Sequence, residues 1–148
     1  MGERAPECQV LVVLGWVQRG PEVLLVQRHD PALAGAHGKW ELPGGKLAFG
    51  EPPAAAVARE VLEETGYAVT VRALLPYTYS TVWEYPDRRQ HVVILVFDCL
   101  AGPRQHAPAD PRIAAVAWQR PEEIDFAAAL PGVKDFVDWW RARAAAGG

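Results

Sequence analysis

In Arg59-Glu-Val-Leu-Glu-Glu-Thr-Gly66, three glutamates crowd the last turn of a predicted helix. Pro52 and Pro53 suit its first turn, where proline's missing amide proton costs nothing, and Gly66 suits a left-handed cap at its end. Ala54, Val57, Ala58, Val61 and Thr65 recur with helical period, so one side of the segment Pro53–Thr65 is expected to pack inward. Residues three and four apart are neighbours on a helix, which makes Glu60, Glu63 and Glu64 one acidic cluster with only Arg59 as local compensation. Two carboxylates about 5 Å apart repel by roughly 3 kcal/mol at an effective dielectric near 20. The helix dipole disfavours negative charge at this end as well. A divalent cation reverses both penalties, and oxygen donors alone suit Mg²⁺ or Mn²⁺ rather than zinc. Taken by itself, the helix equally admits a merely solvated acidic face.

The residues before the helix extend the pattern. Gly45 is followed after five residues by Glu51, and after seven more by Arg59-Glu60, then Glu63-Glu64 and Gly66. This 23-residue run resembles the Nudix box at all seven of its fixed positions. A chance match in a chain this long is rarer than about one in a million at ordinary residue frequencies. Tyr67 departs from the pattern, standing where an aliphatic residue is usual, and is expected to pack with its hydroxyl toward an edge. The resemblance implies a hydrolase of nucleoside diphosphates linked to another moiety. It implies that Glu60, Glu63 and Glu64 bind metal, that Glu51 and Arg59 brace the loop and helix, and that Gly45 and Gly66 make required turns. It leaves open which acid is the general base. The chemistry agrees, because phosphoryl transfer rests mainly on positioning and charge stabilisation around a metal.

Around the box, Val10–Val17 and Val23–Val26 read as strands joined by the turn Gln18-Arg-Gly-Pro21, and residues 29–39 read as a loop. Val69–Leu75, Tyr77–Trp83, His91–Leu100 and Ile113–Trp118 read as further strands. Pro121 opens a short helix, and Val133, Phe136, Val137 and Trp140 mark the buried stripe of a closing one. The order predicts an α/β (α+β) fold: a mixed sheet covered on both faces, the α/β/α sandwich that the resemblance also implies.

A length of 148 residues fits one domain, read here as residues 1–148. Half the residues are apolar and the net charge is −3, which argues against disorder and against a general affinity for nucleic acid or anionic membrane. No apolar run is long enough to cross a bilayer, and residues 1–7 resemble no signal peptide, so a cytoplasmic protein is expected. Pro6 stands against N-myristoylation. Cys8 and Cys99 are expected to be reduced thiols buried in strands. Gly-Gly-Lys46 is not a P-loop, because Trp40 and Leu47 replace its first Gly and its Ser or Thr. Ser80 is the only serine and lacks a nucleophile-elbow context.

Trp40-Glu-Leu-Pro-Gly-Gly45 and the turn Glu84-Tyr-Pro-Asp-Arg-Arg89 resemble the MutT-type branch, which implies a nucleoside-triphosphate pyrophosphatase. Candidate substrate contacts are Arg28, Trp40, Gly44, Gly45, Lys46, Glu84 and Arg88, with Lys39 and Arg89 as further cations. Phe49, Tyr79, Trp83 and Tyr85 are candidates for stacking on a base, core packing being the alternative for each. Glu84, Asp98 and Asp110 compete as the extra acid that MutT-type enzymes use. His29, His37, His91 and His106 show no metal spacing. Trp139 reads as packing on its own core, with a homodimer contact as the alternative. The leading expectation is Mg²⁺-dependent cleavage of a nucleoside triphosphate to monophosphate and pyrophosphate. Its rivals are hydrolysis of ADP-ribose, a nucleotide sugar or a dinucleoside polyphosphate, and a non-catalytic nucleotide-sensing module.

Overall fold

The computed structural model describes residues 4–147. Its strands are β1 (Glu7–Arg19), β2 (Glu22–Arg28), β3 (Trp40–Glu41), β4 (Gly44–Lys46), β5 (Tyr67–Glu84), β6 (Arg89–Arg104) and β7 (Ile113–Gln119). Two α-helices, α1 (Pro53–Thr65) and α2 (Pro131–Ala145), complete it, with short 3₁₀ turns at Pro121–Glu123 and Phe126–Ala128. Five strands run in the order β3-β2-β1-β6-β5, while β4 pairs with β1 and β7 with β2. The β1–β6 pairing is parallel and the others are antiparallel, so the sheet is mixed as expected.

Side chains alternate across a strand, and the two faces of this sheet carry different helices. Val13, Val17 and Leu24 pack with Ala56, Val57 and Val61 of α1. Trp16, Val23 and Leu25 pack with Val133, Phe136 and Val137 of α2. The predicted inward stripe of α1 shifts at one place: Ala56 is buried and Ala54 faces solvent. Trp140 is half-buried, tilted against the wholly buried Trp16 at 5.0 Å between ring centres. Trp139 lies against Tyr77 and Phe136 of its own core.

The segments Val69–Leu75 and Tyr77–Trp83 prove to be one strand, β5. Its pairing with β6 slips between Leu74 and Thr78, where Pro76 interrupts the pattern. A proline that cannot donate to a ladder is tolerated at such an irregularity, the more so because β5 is an edge strand. Cys8 corrects another expectation. It lies in a strand but is exposed, because Glu7 to Gln9 at the start of β1 all face solvent; Cys99 is buried as expected. No helix among the described residues is long and apolar enough to cross a membrane.

Candidate active site

Helix α1 stops where expected. Gly66 takes φ of 80°, and its amide donates to the Leu62 carbonyl at 2.9 Å. Chain reversal there sends β5 away and leaves the acidic last turn of α1 beside β4, which is pinned to β1 through Val12–Lys46, Val13–Gly45 and Leu14–Gly44. A glycine is needed at 45 for proximity: a Cβ there would stand 2.5 Å from the Glu60 carboxylate. The spacing from Gly45 to Glu60 thus corresponds to a direct contact between strand and helix.

The three helix glutamates have different surroundings. Glu64 is buried and accepts a hydrogen bond from the Gly44 amide at 2.7 Å. Burial pushes its pKa up to about 9, with the charge of Glu41 acting in the same direction. Glu60 is buried too; Oε1 accepts from Arg59 at 3.1 Å, whereas Oε2 has no partner. Burial raises its pKa, and Arg59 opposes the rise. Glu63 is half-exposed at the rim, facing the Arg59 guanidinium at 3.2 Å. Arg59 also makes two hydrogen bonds to Glu51, at 2.7 and 2.9 Å, which hold the Glu51 carboxyl below its ordinary pKa. The loop before the helix is thereby tied to the helix by one guanidinium.

Of these groups Glu64 opens onto a cleft of about 210 Å³ that runs across the α2 side of the sheet. Gly44, Gly45, Lys46 and Glu64 line one part of it, together with Arg28. Tyr79, Trp83 and Tyr85 line another, so three of the four candidate stacking residues meet there. Phe49 does not; it is wholly exposed. Trp40, Glu84 and Arg88 are likewise outside the lining. Trp40 packs against the core of the α2 face, and its carbonyl accepts from the Leu130 amide. Glu84 is exposed and paired with Arg89 at 3.0 Å, while Arg88 lies over the Tyr85 ring at 3.9 Å and bonds Asp87. The β5–β6 turn satisfies its own charges and so directs them away from the cleft. Lys39 donates to the Ala127 carbonyl.

Glu41 and Arg112, both in the cleft lining, escaped the sequence reading. Glu41 sits beside Arg28 at 3.7 Å, and burial raises its pKa. Arg112, at the mouth of β7, is gripped by Asp110 through both side-chain oxygens and feels the charges of Glu60 and Glu64. Glu41 stood within the Trp40–Gly45 stretch already singled out, so its signal was present; for Arg112 the only signal was its place two residues after the candidate acid Asp110. Among the candidate extra acids, Asp110 is coupled electrostatically to Glu64, whereas Asp98 is engaged with Gln18 and Arg72.

Among the described residues no three His, Cys, Asp or Glu side chains converge as a ready-made metal cluster. The donor set still fits a hard divalent cation. Glu60 and Glu64 offer only oxygens, and the buried, unpartnered Glu60 Oε2 is the kind of atom a cation would satisfy. Glu63 stands farther out, with Arg59.

Residues 9–140 match the family model of the NUDIX domain, and the chain belongs to that family. Over 60 residues it is 53% identical to "Putative 8-oxo-dGTP diphosphatase 2" of Mycobacterium tuberculosis, an alignment that covers 40% of each chain. Over 93 residues it is 35% identical to the nucleoside triphosphatase NudI of Salmonella arizonae, covering 59% of this chain and 65% of that one. The chain therefore spans only 40% to 65% of these relatives' length. Among solved structures, a NUDIX hydrolase from Nitrosomonas europaea superposes with a TM-score of 0.73 at 25% identity, covering 91% of this chain and 90% of that one. The MutT protein of Methanosarcina mazei Go1 gives 0.71 at 25% identity, covering 97% and 99%.

Proposed function

We propose that the chain is a Mg²⁺-dependent pyrophosphohydrolase that converts a nucleoside triphosphate to its monophosphate and pyrophosphate. The observation that carries this reading is the pair Glu60 and Glu64, two buried and mutually repelling carboxylates on α1, of which Glu64 lines a cleft that also holds cations and aromatic rings. Burying two like charges side by side is costly unless something compensates them, so the arrangement makes sense as a device for holding a cation. When bound, the cation supplies charge neutralisation of the diphosphate and makes water more acidic.

The chain's own residues divide the remaining work. Lys46, Arg28 and Arg112 reach the cleft and hold phosphate oxygens. Tyr79, Trp83 and Tyr85 provide flat apolar surface for a base. Arg59, bound to Glu51, Glu60 and Glu63, acts as a positioning residue that fixes the helix to the preceding loop. Glu41 and Asp110 are the acids placed to accept a proton near Glu64. The names of the mycobacterial and Salmonella relatives favour a triphosphate over ADP-ribose or a nucleotide sugar.

The test is a hydrolysis panel with Mg²⁺, products being separated by chromatography. It contains the common and oxidised (d)NTPs, ADP-ribose, nucleotide sugars and diadenosine polyphosphates. Monophosphate and pyrophosphate from one triphosphate, well above all else, is the expected result. Preferential cleavage of ADP-ribose or a sugar nucleotide would overturn the substrate class, and no nucleotide turnover would overturn the catalytic reading.

A further inference from the structure

Gln90 is a polar side chain in a place that ordinarily demands an explanation. It is only 4% exposed, it lines the cleft, and among the described residues its carboxamide makes no hydrogen bond to the protein. The only buried side-chain polar atoms without a partner among the described residues are Trp16 Nε1 and Glu60 Oε2, so the Gln90 amide atoms are not sealed off but open onto the cleft. Its neighbours on the same strand face, Val92 and Ile94, are apolar, and Trp83 stands directly across from it on β5. A strand position in such surroundings would be expected to hold Val or Leu.

Its position along the sheet indicates what it faces. The catalytic end of the cleft is set by Lys46 and Gly44, opposite Val12 and Leu14 of β1, which in turn pair with Ile94 and Val96 of β6. Gln90 lies four residues before Ile94, about 13 Å along an extended strand. That is close to the span of a nucleoside from its phosphate to the far edge of its base. The group there is neutral and flanked by aromatic surface, so it suits a base edge better than phosphate.

We infer that Gln90 is a specificity-determining residue whose carboxamide pairs with the edge of the substrate's nucleobase, an edge presenting a hydrogen-bond acceptor beside a donor. The amide N–H donates to the base acceptor and the amide oxygen accepts from the base donor, a two-bond pairing that the N7/N6 edge of adenine completes and the N7/O6 edge of guanine, with two acceptors, does not. This rests on the proposed nucleotide-hydrolase reading and adds to it the group that chooses among bases.

The test is kcat and KM of the wild type, Gln90→Leu and Gln90→Glu on the four common dNTPs and on 8-oxo-dGTP, all with Mg²⁺. In Gln90→Leu, kcat/KM for the preferred triphosphate is expected to fall about 5- to 150-fold, mostly through KM. Poor substrates should change little, so the ranking of bases flattens. Gln90→Glu keeps the shape but exchanges a donor for an acceptor, and should re-rank the bases instead. An unchanged ranking in both variants, or an equal loss on every substrate, overturns the role of Gln90 while leaving the hydrolase reading in place. No nucleotide turnover by the wild type overturns both.

Discussion

In metal-free protein, Glu64→Gln is expected to raise the melting temperature while it abolishes turnover. Burial holds the Glu64 carboxyl at a pKa of about 9, against an ordinary value of 4.5. A group whose folded pKa is raised contributes stability fully only below its unfolded pKa and loses it progressively as pH rises toward the folded value. At pH 7 the folded protein keeps a proton that the unfolded chain has released, which costs about 3 kcal/mol. Because Glu64 is only 4% exposed, little of this is screened by solvent. Glutamine keeps the shape, its oxygen still accepts from the Gly44 amide, and it carries no charge to bury. For a domain of this size the gain corresponds to roughly 6–12 °C. The assay is differential scanning calorimetry in EDTA at several pH values from 5 to 9. Glu41, Glu60 and Asp110 face the same region and are coupled to Glu64, so the difference between the two curves reports Glu64 together with the relief it gives these neighbours, which acts in the same direction for the carboxyls it repels. The wild type should lose ground to the variant as pH rises, and Mg²⁺ should raise the wild-type melting temperature more than the variant's. Hydrolysis should fall at least about a hundredfold. A variant that melts at or below the wild type in EDTA at pH 7 to 8 would refute the reasoning.

Gly45→Ala places a methyl group 2.5 Å from the Glu60 carboxylate, so it should displace that side chain and lower kcat with little change in melting temperature; steady-state kinetics beside calorimetry checks both. Arg112→Gln removes a cleft cation and should raise KM for a triphosphate by about tenfold, measurable by titration of the substrate. Cys8 is exposed while Cys99 is buried, with its thiol pushed up to about 12 by burial. One thiol should therefore react promptly with a disulfide reagent in the native protein, and the second only after denaturation.

Local chemistry carried a large part of the fold into the sequence. The two prolines and Gly66 bound α1 at Pro53 and Thr65, as the structure has it, because helix ends are decided by a few residues near the break. Alternating and continuous apolar runs located β1, β2, β6 and β7, although their ends reach further than the apolar cores; β6 continues through Gly102 and Pro103 to Arg104 because pairing with β5 sustains it. Tyr67 was legible in the same way: its hydroxyl accepts a hydrogen bond from Trp118 at the sheet edge, 3.1 Å away.

Which charges face the cleft was decided by tertiary structure. Glu60, Glu63 and Glu64 are equivalent by helical spacing, yet the approach of β4 buries two of them and leaves Glu63 to Arg59. Glu84 and Arg88 have the composition of a phosphate-binding turn, but their neighbours in the same turn neutralise them. Arg112 and Gln90 reach the cleft only because strands distant in sequence lie side by side, β7 against β2 and β6 between β1 and β5. Spacing within a motif is a property of one segment, so the sequence by itself determined the family, the acidic helix and its caps. Burial and charge pairing depend on what other segments bring alongside, and for this protein those contacts alone decide which residues can meet a nucleotide.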